Sequence, residues 1–214
     1  MTTFYLLRHG ESTFNTEKRW TGQADAPLSE LGLCQAEEAA KRLCHHPIDC
    51  IYSSDLQRAK DTARPTALRL ALPIHTDPDL RELCAGVWEG LTVAHVAEAF
   101  PEEYKSWGQK NPLTSPPMGE SYADVQKRAY AALCRIAKQE EGKRVLVATH
   151  GGLIRTLICL ALDEPIEQVY HITTPTNASL TILQMENGRL FADWEEADND
   201  LPKWIHALCP DAIV

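Results

Sequence analysis

The feature that most constrains the fold is an alternation, kept up along nearly the whole chain, of short β-rich runs with helical patterns. The runs lie at residues 3–7, 50–53, 74–76, 145–149, 179–185 and 190–194. Helix-forming segments separate most of them, so successive strands are joined by crossovers that return in the same direction. This predicts an α/β fold: a three-layer, doubly wound, mostly parallel sheet with helices on both faces.

Local signals refine the pattern. Ser29 is expected to cap a helix with Leu33, Ala36, Ala40 and Leu43 on its inner face and Glu37, Glu38 and Lys41 toward water. Ser121 and Asp124 have capping-box spacing, followed by Val125, Ala129, Ala132, Leu133 and Ile136 at helical intervals. Asp55 is expected to cap a third helix through Leu56, Ala59, Ala63, Ala67 and Leu70, kinked at Pro65. Residues 151–162 are apolar nearly all round apart from Arg155, which predicts a buried helix. The proline-rich stretch 111–119 reads as loop, and about 83–120 as a small helical insertion capping the carboxyl edge of the sheet. No linker divides the 214 residues, so one domain, 1–214, is expected.

The net charge of −9 argues against nucleic-acid or anionic-membrane partners, which need excess Lys and Arg over a whole footprint. Any anion site must therefore be local. Seven scattered cysteines without a C-x-x-C pair suggest neither a disulfide framework nor a zinc site, and fit reduced thiols in a cytoplasmic protein. Only four apolar residues precede Arg8, too few for a signal peptide, and Arg155 interrupts the apolar run from 153 to 162. A soluble chain is expected, and a homodimer is left open.

The polar residues that do not suit a core fall at the carboxyl ends of the candidate strands. Arg8 and His9 follow the first, Arg58 the second, Glu82 the third and His150 the fourth. In open α/β sheets this edge is where ligands bind. Each residue alone fits an ordinary surface or core role, but five at four separate strand ends form a constellation. Two guanidiniums offer forked donors to a tetrahedral oxyanion, and Gly10, Gly151 and Gly152 let backbone amides approach it. That describes a phosphate site. A neutral imidazole among cations can attack phosphorus, which favours His9, and Glu82 is the group of the five suited to protonating a departing alkoxide.

The sequence resembles the histidine phosphatase superfamily, in its phosphoglycerate mutase-like branch. The matching text is "LLRHGESTFNTEKRWTGQADAPLSELG", "IYSSDLQRAKDTA", "LRELCAGVWEGLT", "GES" at 119–121, "VLVATHGGLIRTL" and "NASLTIL", in that order from Phe4 to Leu183. The resemblance implies a phosphoglycerate mutase-like fold and a phosphohistidine formed on His9. It implies Arg8, Arg58 and His150 as ligands of the phosphoryl oxygens and Glu82 as general acid and then base. Asn15 is implied as a further phosphate contact, and Gln23 as a residue near the pocket, with Gly151 at its amide edge. No metal or other cofactor is implied, and a bell-shaped, acidic-to-neutral pH profile is expected.

Hydrolysis of a small phosphorylated metabolite is favoured over mutase chemistry, because no Lys or Arg lies between Arg81 and Lys105 to hold a phosphoglycerate carboxylate. The alternatives are a phosphoglycerate mutase and a phospho-ligand binder without turnover. A metal-dependent hydrolase using the eight histidines is a third. Trp88 and Trp107 fit either an apolar leaving-group wall or the core of the insertion. Arg155 fits a brace for the site or a rim ion pair, and Lys18 and Arg19 fit the pocket mouth or a solvated loop. Cys84, near Glu82, fits a buried position or an oxidation-sensitive one.

Overall fold

The computed structural model describes residues 1–192. Its strands are β1 (Thr2–Arg8), β2 (Cys50–Ser53), β3 (Ile74–Thr76), β4 (Arg144–Thr149), β5 (Leu180–Glu186) and β6 (Arg189–Ala192). They form one sheet in the order β3-β2-β4-β1-β5-β6. The first four are parallel, with Phe4 opposite Val145 and Arg8 opposite Thr149, so the ends of β1 and β4 are level. β5 and β6 run antiparallel at the edge, joined at Asn187 and Gly188, both with positive φ. That pair favours a tight hairpin where a helical crossover would have continued the parallel order. The last part of the expected strand at 190–194, including Trp194, lies outside the described residues.

Alternate residues of β1 supply two cores. Phe4 and Leu6 pack with the helices α6 (Tyr122–Gln139) and α7 (Gly151–Ala161), and Tyr5 and Leu7 with α2 (Glu30–Leu43) and α3 (Gln57–Leu70). Both faces of the sheet are therefore covered, as near-continuous apolar strands require. A short first helix, α1 (Thr13–Thr16), follows the turn after β1.

Most local expectations hold in form and some change in detail. Ser29 accepts from Gly32 N–H at the start of α2, but Leu33 is 53% exposed. The inner stripe is Gly32, Ala36, Ala39, Ala40 and Leu43, because a Cβ at Gly32 would lie 2.0 Å from the Glu11 carbonyl oxygen and only glycine permits that approach. This turns Leu33 outward. Asp55 does not cap α3: Leu56 occupies the N-cap, Asp25 accepts from Gln57 N–H at 2.6 Å, and Asp55 pairs with Arg81. Helix α3 runs through Pro65 to Leu70. The Ser121–Asp124 capping box is present in both directions. Within 83–120 lie α4 (Val93–Ala99) and α5 (Pro101–Gly108), packed around a small core of Ala85, Trp88 and Val96.

Candidate active site

His9 leaves β1 with its main-chain N–H on Thr149 O at 2.9 Å, so the strand pairing continues one residue into the site. Its Nδ1 lies 2.6 Å from Gly10 O. A carbonyl can only accept, so Nδ1 carries the ring proton and Nε2 keeps its lone pair. Gly10 N–H donates to Thr62 Oγ1 at 3.0 Å, fixing that turn against α3. A Cβ on Gly10 would lie 2.5 Å from Gly32 O.

His150 is the N-cap of α7, fully buried, with its ring centroid 5.1 Å from that of His9. Neither of its ring nitrogens has a hydrogen-bond partner. Burial, reinforced by the Arg58 and Arg8 guanidiniums, holds His9 well below the usual histidine range, and burial with Arg58 and His9 does the same to His150. Both rings are therefore neutral near pH 7.

Arg58 is fully buried near the start of α3. It donates through Nη1 to Ala24 O at 2.8 Å and through Nη2 to Gly22 O at 2.7 Å, and its Nε has no partner. Desolvation lowers it to about 10, partly offset by Glu82, so it remains a cation at neutrality. Arg8 donates to Pro175 O, and its Nε is likewise buried without a partner. Two cations with unused donors beside two neutral imidazoles form a site for an oxyanion.

Glu82 faces this group from the coil after β3. Its Oε1 accepts from Leu83 N–H at 2.9 Å and its Oε2 from Gly152 N–H at 3.0 Å. The T-H-G-G turn is explained by what packs on it. A Cβ at Gly151 would lie 2.8 Å from Thr174 Cγ2 and 3.1 Å from Arg8 Nε, and one at Gly152 would lie 2.5 Å from Glu82 Oε1. Asn15 lines the same cavity; its Oδ1 accepts from Ser12 N–H at 3.0 Å, which leaves its NH₂ end for a ligand.

The cavity has a volume of about 340 Å³, the size of a small-metabolite site. Arg8, His9, Asn15, Arg58, Glu82 and Gly151 lie along it. Two of the expected residues stand behind the wall. His150 is fully buried beside His9, and Gln23 hydrogen-bonds protein groups, donating to Glu82 O at 3.2 Å and accepting from Arg81 Nη1 at 3.4 Å. The two tryptophans divide: Trp88 is fully buried in the core of the insertion, whereas Trp107 lines the cavity, stacked on Tyr122 at 5.8 Å and 28°. Arg19 is on the wall and Arg155 packs over the Tyr122 and Tyr170 rings.

Sequence reading missed Trp20, Val93 and Tyr122 on the wall, and Arg128 and Glu120 behind it. No spacing marks these residues, although "GES" at 119–121 already contained Glu120.

The histidine phosphatase superfamily (branch 1) model matches residues 4–196. The chain is 40% identical over 184 residues to a bifunctional protein of Mycobacterium tuberculosis, covering 86% of this chain but 50% of that one. The chain thus spans about half the length of the mycobacterial relatives it matches. It is 37% identical over 204 residues to a metal-independent phosphoserine phosphatase of Arabidopsis thaliana, covering 93% and 83% of the two chains. Relatives named "phosphoglycerate mutase-like protein 4", of Arabidopsis thaliana, and "probable phosphoglycerate mutase", of Yersinia pestis, match too. Among solved structures, a mycobacterial glucosyl-3-phosphoglycerate phosphatase in complex with VO3 superposes with a TM-score of 0.82 at 34% identity, over 89% of this chain and 96% of that one. By this family match and by the site it carries, the chain belongs to branch 1 of the histidine phosphatase superfamily.

Proposed function

We propose that this chain is a metal-independent phosphomonoesterase that hydrolyses small phosphorylated metabolites through a phosphohistidine on His9. The observation that carries the reading is the His9 Nδ1 contact with Gly10 O, which leaves Nε2 unprotonated in a cavity shared with Arg8, Arg58 and Glu82.

In the first step His9 Nε2 forms a bond to phosphorus as the ester P–O bond breaks, and the Glu82 carboxyl gives its proton to the departing alkoxide. In the second, water adds to phosphorus and passes its proton to Glu82. The P–N bond breaks, its electrons return to Nε2, and inorganic phosphate leaves. Arg8 and Arg58 hold the phosphoryl oxygens through both steps, supplying side-chain charge where other phosphoryl-transfer enzymes use a metal ion. Asn15 and the amide edge at Gly151 add neutral donors. His150 keeps the His9 ring in place and adds a polar edge to the same end.

Among the described residues the six cysteines are all free, which supports a cytoplasmic setting. No described helix is long and apolar enough to cross a membrane. The relatives named as phosphatases support hydrolysis.

A phosphoglycerate mutase is the second reading, favoured by Arg19, a cation on the cavity wall. That guanidinium is already engaged by Glu17 and by Gly90 O. The deciding experiment measures phosphate release from a panel of phosphomonoesters in excess EDTA, with isomerisation of 3-phosphoglycerate assayed in parallel. The wild type is expected to release phosphate from several esters and to yield an alkali-stable phosphohistidine, with His9→Ala losing both. Dominant isomerisation, abolition by EDTA, or turnover intact in His9→Ala overturns the reading.

A further inference from the structure

Glu82 lies two residues beyond a single 3₁₀ turn, Pro78–Leu80, and the four consecutive carbonyls from Asp79 to Glu82 are each held by a side chain. Arg128 Nη1, from α6, donates to Asp79 O and Arg81 O, both at 2.8 Å. Thr149 Oγ1 donates to Leu80 O at 2.7 Å. Arg128 Nη2 and Gln23 Nε2 both donate to Glu82 O, at 2.9 and 3.2 Å.

The fork of Arg128 is itself aimed by Glu120, which accepts from Nε at 2.7 Å and from Nη2 at 2.9 Å. The second Glu120 oxygen also accepts from Cys84 N–H at 2.9 Å, and so grips the coil on the far side of Glu82. Both partners are largely buried, with side chains 16% and 24% exposed.

The geometry assigns Arg128, with Glu120 and Gln23, as a positioning clamp that sets where the Glu82 carboxyl meets the leaving oxygen. Arg128 does not line the cavity; it acts through the main chain of the general acid. A single guanidinium that engages three carbonyls and one carboxylate needs all its forked donors, so lysine, with one point of charge, replaces it only in part. A carboxyl displaced by even a fraction of an ångström transfers its proton poorly, and the loss should track how much protonation the leaving group requires.

This inference rests on the proposed role of Glu82, and the experiment separates the two. kcat/KM, which reports cleavage of the ester bond, is measured for 4-nitrophenyl phosphate, whose phenolate leaves with little protonation, and for β-glycerophosphate, whose alkoxide requires it. Arg128→Gln is expected to lose about tenfold more on the alkyl than on the aryl ester, with Arg128→Lys intermediate and Glu82→Gln showing about a hundredfold split. General loosening of the fold would lower both substrates equally. Inhibition by vanadate, which reports the phosphate end, is expected to stay within about threefold of wild type in Arg128→Gln.

Should Arg128→Gln fail to fold, Gln23→Ala carries the test, with a smaller split in the same direction. A split in Glu82→Gln without one in Arg128→Gln or Gln23→Ala overturns the clamp alone. No split in Glu82→Gln overturns the clamp together with the role of Glu82.

Discussion

Gly152 shows how closely single residues are specified at this site. Its N–H donates to Glu82 Oε2, and the space its missing side chain would fill is taken by Glu82 Oε1. In Gly152→Ala the obstructing atom is the carboxylate itself, so the new methyl is expected to push Glu82 away from the leaving oxygen. The expected outcome is a loss of about a hundredfold in kcat/KM on alkyl phosphates, in proportion to a displacement near 1 Å. Unchanged steady-state kinetics in the purified variant would count against the placement of Glu82. Sequence alone named His9, Arg8, Arg58, Glu82 and His150 because each breaks an apolar pattern at a strand end. It had no means of seeing Arg128, which sits in a helix at an ordinary half-buried position and acts through carbonyls distant in the chain.

At the level of elements, α6 carries the clamp and its beginning is defined by a reciprocal cap. Ser121 Oγ accepts from Asp124 N–H at 3.2 Å, and Asp124 accepts from Ser121 N–H at 3.0 Å. Ser121→Ala removes the first of these and leaves Asp124 with one partner fewer, for an expected loss of about 1 kcal/mol of unfolding free energy. Urea denaturation measures it, and a change below about 0.3 kcal/mol would be inconsistent with a cap of ordinary strength. The cap was legible because both of its partners are local, three residues apart. Asp55 misled for the opposite reason: its spacing suits a cap, but Arg81, 26 residues away, provides a forked charged partner. A bidentate ion pair competes well with a single main-chain N–H. The β5–β6 hairpin had its own local signal in Asn187-Gly188, and the alternation of strands and helices elsewhere obscured it.

For the whole molecule the site has a cost in acid. His9 and His150 are both held well below 6.5 when folded, and both return to about that value when the chain unfolds. Below pH 6.5 the unfolded state thus takes up two protons that the folded state does not, and stability falls as pH falls until the folded values are reached. The slope is about 1.4 kcal/mol per pH unit for each histidine, or about 2.7 for both. Stability measured by denaturant is expected to change little between pH 7.5 and about 7, and to fall with a slope that steepens toward this limit as pH drops through about 6.5 to 5.5, with His150→Gln falling about half as steeply. A flat profile in the wild type would show that neither ring is held below its unfolded value in the folded protein, and half the slope that only one is. The sequence by itself determined the layers, the helices on both faces and the five polar residues at strand ends, since apolar periodicity and strand termini are written in neighbouring residues. Only the tertiary structure decided which groups touch the ligand cavity and which hold them there. Those relations, His9 over His150, Trp107 on the wall with Trp88 beneath it, Arg128 behind Glu82, join residues far apart in the chain, and it is packing that brings them within a hydrogen bond or a ring contact of one another.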